Sequence, residues 1–160
     1  MAAGKVASEK GQSEAVKQFA QLMVEAHGKT NKELKGIVQA EKLDVELPSR
    51  LDRRRQKLIE ALNKAKPEDF DALYDEQQVK AHDLAAGLYD GYAEQGGNAA
   101  LKQFAANTLP AIRQQRREAE KLPQYGSGCT AWFRGRHPSG RRPLRCETER
   151  WKFAFGAVSV

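Results

Sequence analysis

Residues 13–40 read SEAVKQFAQLMVEAHGKTNKELKGIVQA, and this stretch decides the fold class. Its apolar side chains recur at spacings of three and four residues, which places them on one stripe of a helix of about seven or eight turns. Ser13 stands where an N-cap residue is expected. The members of the stripe are Val16, Phe19, Ala20, Met23, Val24, His27, Leu34, Ile37 and Val38. The stretch predicts a long amphipathic helix with one buried face.

Helical patterning continues on both sides of this stretch, as far as Leu122. A short helical piece is expected over roughly residues 2–10, and a connection that contains Pro48 follows the long helix. A shorter amphipathic helix is predicted to carry Leu51, Leu58, Ile59 and Leu62, with Arg53, Arg54 and Arg55 facing outward. A third long helix begins at Pro67, and a fourth follows the capping residue Asn98. The sequence therefore predicts an all-α bundle of four main helices plus a short N-terminal piece.

The apolar stripes of these helices give the expected core. Large inward-facing side chains are predicted at Phe19, Met23, Leu34, Phe70, Tyr74, Leu88, Phe104 and Leu109. Acidic residues such as Glu68 with Asp71, or Asp75 with Glu76, are interpreted as first-turn and surface charges.

An internal repeat relates two of the helices. The segment SEAVKQFA at residues 13–20 recurs as NAALKQFA at 98–105, with five of eight positions identical. Either two related helical hairpins or chance similarity between two helices rich in Ala and Lys explains the match. If the repeat is structural, Phe19 and Phe104 hold equivalent places in the core.

Composition divides the chain into two parts, a helical domain over 1–123 and a tail over 124–160. The chain has 160 residues and a net charge of +6, and the tail's seven basic and two acidic residues account for +5 of it. The tail is rich in Gly, Pro and Arg and has no amphipathic period, so it is expected to be irregular or loosely packed. A nucleic acid is a candidate partner for it, although an accidental basic extension is the favoured interpretation.

Several classes of protein are disfavoured by the sequence. No run of 18 or more apolar residues is present, so no membrane span is expected. The first residues have no apolar segment typical of a secretory signal. Nucleophilic catalysis is not indicated either, because Cys129 and Cys146 lie in the tail, where no base is held beside them. We therefore expect a protein that is not an enzyme and that has no organic cofactor.

Three short motifs indicate a resemblance to a known family. The first is Phe19 to His27 followed by Asn31 and Leu34, and the second is Phe70-Asp71 with Tyr74, Gln78-Val79 and His82. The third is Phe104-Ala105 with Thr108-Leu109-Pro110 and Arg113. Together they resemble the bacterial family called domain of unknown function 4142. The resemblance covers about residues 2–122 and implies a ferritin-like four-helix bundle that is exported to the periplasm or cell envelope.

The chain departs from the family pattern in ways that bear on function. Met1 falls inside the family's first helix, which predicts a short or truncated helix and an exposed apolar groove beside it. A second copy of the chain or another protein is the expected occupant of that groove, and the tail, with Trp132, Phe133, Trp151 and Phe153, is the alternative. Ala26 replaces an Asp common in the family, and Gln115 stands where a His is often found. Nothing in the family pattern matches the tail.

Two histidines are the candidate metal ligands. His27 lies on the apolar stripe of its helix, and His82 shares a face with Asp75 and Gln78. A di-iron centre of the ferritin type is disfavoured, because no Glu-x-x-His pair is present. A mononuclear site built from His27, His82 and a carboxylate such as Glu25 is the sharper hypothesis. Histidines satisfied inside a packed bundle are the plainer one.

Three functions follow from these observations. The first is a non-enzymatic helical-bundle protein of the bacterial envelope or periplasm that acts by binding or structural association. The second is a metal-binding protein that uses His27 and His82. The third is binding of nucleic acid through the basic tail.

Overall fold

The computed structural model of the chain describes residues 1–45, 47–48 and 50–122, and this part of the chain contains five α-helices and no strand. The helices are α1 (Ala2–Lys10), α2 (Glu14–Ala40), α3 (Arg53–Lys64), α4 (Pro67–Gln95) and α5 (Ala99–Ala119). The predicted all-α fold, with four main helices after a short N-terminal one, is confirmed. The tail lies outside the described residues, and so do the expectation that it is irregular or loosely packed and the alternative that it binds nucleic acid.

Side-chain caps start three of the helices, two of them at the predicted positions Ser13 and Asn98. Ser13 accepts the backbone N–H of Val16 at the start of α2, and Asn98 accepts that of Leu101 at the start of α5. Asp52 caps α3 in the same way, through the backbone N–H of Arg55 at 2.8 Å. Each cap satisfies one of the first backbone donors of its helix, which have no partner inside the helix.

The repeated segments occupy equivalent places. Besides their matching caps, they bring Phe19 and Phe104 to the same depth, with 6% and 5% of each residue exposed. Phe19 packs edge-on against Tyr74 at 6.4 Å between ring centroids, and Phe104 packs against Tyr89 at 6.0 Å. Both phenylalanines therefore point into the core, as the repeat predicts.

Helices α4 and α5 form the most extensive pairing of the bundle. Because the two helices run antiparallel across a short turn, residues late in α4 meet the early and middle part of α5, and residues midway along α4 meet the later part of α5. Arg113 pairs with Asp90 at 3.1 Å, and Arg116 pairs with Asp83 and with Glu120. These pairs are half-exposed, so they align the helices more than they stabilise them.

Helix α1 packs closely on the first half of α2. A Cβ atom at Gly4 would lie 2.8 Å from Cγ2 of Val24 and 3.0 Å from the carbonyl oxygen of Ala20. Only glycine allows the two backbones to approach this closely.

Asp71 is buried and is not the surface charge that the sequence suggested. Its Oδ1 accepts the backbone N–H of Gln12, and its Oδ2 accepts that of Ser13, both at 2.8 Å. Asp75 is also buried, with 3% of the residue exposed. The expectation of surface charges is wrong for Asp71 and Asp75, whereas Glu68 and Glu76 are exposed. Asp71 in α4 is buried because it supplies the acceptors that the start of α2 needs.

The predicted core is confirmed at most positions and corrected at one. Phe19, Met23, Phe70, Tyr74, Phe104 and Leu109 are buried. Leu34 is half-buried against the cluster around Phe104. Leu88, predicted to face inward, is 41% exposed. It lies at the edge of two surface grooves, and so the apolar stripe of α4 is only partly covered.

Candidate functional site

The core consists of two apolar clusters with a polar layer between them. One cluster, at the end of the bundle where α2 begins, is built around Phe19, Met23 and Tyr74. The other, at the opposite end, is built around Tyr89 and Phe104. The polar layer comprises the residues that lie between these clusters along the three long helices: His27, Thr30 and Asn31 of α2, Gln78 and His82 of α4, and Gln115 of α5.

His82 is the most deeply buried member of the polar layer, with 3% of the residue exposed. Its Nδ1 lies 2.8 Å from the carbonyl oxygen of Gln78. A carbonyl can only accept, so Nδ1 carries the proton and Nε2 carries the lone pair of the neutral ring. Nε2 is buried and has no hydrogen-bond partner among the described residues. The side chain of Gln115 approaches the ring without hydrogen-bonding geometry to that atom.

His27 faces His82 from the neighbouring helix. The ring centroids are 5.9 Å apart and the ring planes are inclined by 36°. Burial lowers the pKa of His27 to about 4, and the nearby amino group of Met1 and His82 act in the same direction. Burial also lowers the pKa of His82, although the carbonyl of Gln78 and the side chain of Gln115 partly oppose it. Both imidazoles are therefore neutral at pH 7.

Two threonines beside the histidines expose acceptor oxygens. The hydroxyl of Thr30 donates to the carbonyl of Ala26 at 3.0 Å, and that of Thr108 donates to the carbonyl of Phe104 at 2.7 Å. Each hydroxyl proton is used within its own helix, so each oxygen offers only lone pairs to its surroundings.

These groups line a surface groove with a volume of about 500 Å³. Helices α2 and α4 meet here through side chains, such as His27 against His82, rather than through closely packed backbones, and the space that remains is the groove. Its apolar walls are formed by Met1, Ala2, Ala3, Met23, Pro48, Leu51, Leu58, Ile59, Ala81, Ala85, Leu88, Tyr89, Ala111 and Ile112. Arg50 and Arg55 are the charged side chains of the lining, and within the described residues no Asp or Glu takes part in it. A volume of this size is typical of sites for small organic molecules.

The predicted metal ligands are only partly brought together. His27 and His82 face one another, but Glu25 is exposed and does not line the groove. Glu25 is two residues from His27 and so lies about 200° around the helix from it. The described residues contain no group of three or more His, Cys, Asp and Glu side chains placed to hold one ion. A carboxylate-rich di-metal centre of the ferritin type therefore does not fit this part of the chain.

Gln115 and the threonines were missed as groove residues by sequence reasoning. Gln115 was noted only as a departure from the family pattern, yet its side chain lies beside His82. Thr108 was noted only as part of a motif. Their spacing of seven residues, two helical turns, places them on one face of α5 and could have linked them.

The described residues contain no helix that is both long and apolar enough to cross a bilayer. No curated protein matches the chain, and no solved structure matches it. The model of one family, the domain of unknown function DUF4142, matches residues 1–122, which is most of the chain. The chain therefore belongs to the DUF4142 family, with the His27–His82 groove inside the part that the family model covers.

Proposed function

We propose that the protein acts by binding a ligand in the groove beside His27 and His82 and that it catalyses no reaction. One observation carries the proposal, namely that His82 lines the groove and that its buried Nε2 has no hydrogen-bond partner among the described residues. A buried acceptor without a partner costs about 1–3 kcal/mol, and a bound hydrogen-bond donor would recover that cost.

The character of the lining supports binding rather than catalysis. Within the described residues, the groove is lined by no Ser, Cys, Asp, Glu or Lys side chain. Its two threonine hydroxyls donate to backbone carbonyls, so neither has a base that would activate it as a nucleophile. The titratable groups of the described lining also include the two imidazoles, the amino group of Met1 and the hydroxyl of Tyr89, and the imidazoles face each other rather than an activated partner.

A matched pair of variants tests the proposal. Ala111 and Ala106 are both exposed residues of α5, but only Ala111 lines the groove. A library of small molecules would be screened by thermal shift, since a ligand that binds the folded state raises the melting temperature. Compounds that bind the groove should lose their effect with Ala111→Phe and keep it with Ala106→Phe. If the stabilising compounds act equally on both variants, the groove is not the site.

A second candidate is a metal-binding protein that uses His27 and His82. The separation of the rings favours it, because two imidazoles bound to one zinc ion at about 2.0–2.1 Å have ring centroids about 5–6 Å apart, and the observed value is 5.9 Å. Both rings are neutral at pH 7, as metal binding requires. Water or another ligand would have to complete the coordination, since Glu25 is directed elsewhere.

Calorimetric titration with Zn²⁺ and Cu²⁺ tests this candidate. His27→Ala and His82→Ala should each abolish binding, whereas Gln115→His should strengthen it by supplying a third imidazole to the polar layer. Elemental analysis of the purified full chain should find a stoichiometric metal. Metal-free protein that gives no heat of binding, and no gain with Gln115→His, would rule the candidate out.

Location and association are further parts of the proposal. The family resemblance supports a place in the bacterial envelope or periplasm, which fractionation of cells that express the native gene would test. The exposed side chains of Leu22, Leu84 and Leu88 support association with a second copy or another protein. Light scattering on the full chain would detect a dimer, and a monomer at all concentrations would remove self-association.

A further inference from the structure

Three polar groups of the lining offer acceptors and no free donor, whereas the amides of Asn31, Gln78 and Gln115 offer both. Nε2 of His82 and the hydroxyl oxygens of Thr30 and Thr108 have lone pairs available, because the proton of each group is already donated to a backbone carbonyl. All three residues line the groove. A ligand that satisfies these acceptors must bring hydrogen-bond donors, such as a hydroxyl or an N–H group.

The charged side chains that line the groove are both positive. Arg50 is exposed and Arg55 is half-buried, so both lie at the solvent edge of the groove. Arg55 also pairs with Asp52 at 3.1 Å, whereas Arg50 forms no salt bridge with another described residue. A cationic ligand would find no carboxylate among the described lining residues, but an anionic group would find two guanidinium groups.

The donors and the anionic group would lie at different places along the ligand. Arg50 and Arg55 come from the connection after α2 and the first turn of α3, whereas His82 and Thr108 come from α4 and α5. The lining also includes apolar side chains such as those of Leu58 and Ile112. A ligand that fills the groove must therefore have an apolar part.

The geometry points to a small amphipathic organic anion as the ligand of the groove, with a hydrogen-bond donor directed at Nε2 of His82 and a negative group at Arg50 and Arg55. This inference rests on the proposed function, because it names the ligand class of the same groove. Such a ligand differs from a metal ion, because a metal ion would bind the two histidines alone and would gain no affinity from the arginines.

Three fluorescent probes that share one skeleton separate the contribution of the N–H donor to the affinity from that of the negative group. They are 2-anilinonaphthalene-6-sulfonate, its N-methyl derivative, which lacks the N–H donor, and N-phenyl-2-naphthylamine, which lacks the sulfonate. Titrated into the full chain at pH 7.5, the first probe should bind about tenfold more tightly than either of the others. Equal affinities for all three would overturn the inference.

Arginine variants show whether the charge is recognised in the groove. Arg50→Gln combined with Arg55→Gln should remove the advantage of the sulfonate and leave the neutral probe unchanged. Arg53→Gln is the matched control, because Arg53 is exposed on the same helix as Arg55 but does not line the groove. An effect of Arg53→Gln as large as that of the double variant would mean that the anion is attracted by general surface charge, which contradicts the inference.

The groove-filling variants keep the two proposals distinguishable. If Ala111→Phe weakens all three probes and Ala106→Phe weakens none, the groove is the binding site. Equal affinity for the charged and neutral probes would then overturn only the ligand class. If Ala111→Phe affects no probe, both the ligand class and the proposed groove are wrong.

His82→Leu should abolish the difference in affinity between the N–H and N-methyl probes. The wild-type comparison of these two probes tests the same contact without any substitution.

Discussion

Asp71 accepts the backbone N–H of Ser13 at 2.8 Å, across 58 positions of sequence, and its second oxygen accepts that of Gln12 at the same distance. Asp71→Asn keeps one acceptor oxygen but turns an NH₂ group toward the other backbone donor. We expect this substitution to lower the free energy of unfolding by about 2–3 kcal/mol. Urea denaturation followed by circular dichroism measures the change.

Asp69→Asn is the control for that prediction. Asp69 is exposed in the first turn of α4, where a negative charge interacts with the helix dipole. Its replacement should cost less than about 1 kcal/mol. Equal effects at the two positions would mean that Asp71 contributes only through the dipole and that its hydrogen bonds to α2 add nothing.

Phe19→Ala and Phe104→Ala should each lower the free energy of unfolding by about 3–5 kcal/mol, because both side chains are buried in apolar clusters. The two residues belong to different clusters, so the double variant should show the sum of the single effects to within about 0.5 kcal/mol. Leu22→Ala, at a residue that is 48% exposed, should change stability by less than about 0.5 kcal/mol. A loss that small at either phenylalanine would show that it does not pack in the core.

Gly4→Ala and Gly87→Ala should change stability in opposite directions. A Cβ atom at Gly4 meets Val24 at 2.8 Å, whereas one at Gly87 meets nothing within 4 Å. Gly87→Ala should stabilise α4 by about 0.5–1 kcal/mol through helix propensity. Gly4→Ala should destabilise the protein by about 1–3 kcal/mol through overpacking. Thermal unfolding of both variants measures the contrast, and a stabilising Gly4→Ala would show that α1 can shift away from α2 at no cost.

Acid should destabilise the protein through the two histidines. Burial lowers the pKa of His27 from 6.5 to about 4 and lowers that of His82 as well, so the folded state binds fewer protons than the unfolded state in this range. The contribution of His27 to stability is complete well above pH 6.5 and is lost as the pH falls toward 4, and that of His82 is lost in the same direction. His27→Gln should reduce this loss by up to about 3 kcal/mol.

Comparison of the wild type with His27→Gln separates the loss of stability caused by protonation of His27 from the loss caused by protonation of carboxylates, because the carboxylates titrate in both proteins. Unfolding free energies would be measured by denaturant titration at several values between pH 7.5 and 4.5. If the two proteins lose stability in parallel over this range, His27 titrates normally and is not buried against His82.

Local features of the sequence were sufficient to predict where the helices begin. The side chains of Ser13 and Asn98 accept backbone N–H groups of the turn that follows, and Pro67 fixes a backbone dihedral angle of the first turn. Because these effects are confined to one helical turn, they can be predicted without knowledge of the fold. Asp71 could not be interpreted in this way, because its partners lie on another helix, and a carboxylate near a helix start has the same local appearance whether solvated or buried.

The candidate site was predictable only in part for the same reason. The apolar stripes identified His27 and His82 separately, but their contact joins residues 55 positions apart and depends on how α2 packs against α4. Leu88 was assigned to the core because its spacing fits the stripe. The sequence pattern specifies the face of a helix but not whether a neighbouring helix covers it, and here the coverage ends at Leu88.

The polar layer of His27 and His82 bears on the cooperativity of unfolding. Each end of the bundle buries its own apolar cluster, so one end can open without exposing the other. Amide hydrogens around Phe19 and Phe104 are then expected to exchange with solvent in two groups, each with its own opening free energy. A molecule in the groove contacts Met23 of the first cluster and Ile112 of the second. Its binding would join the two groups into a single cooperative unit.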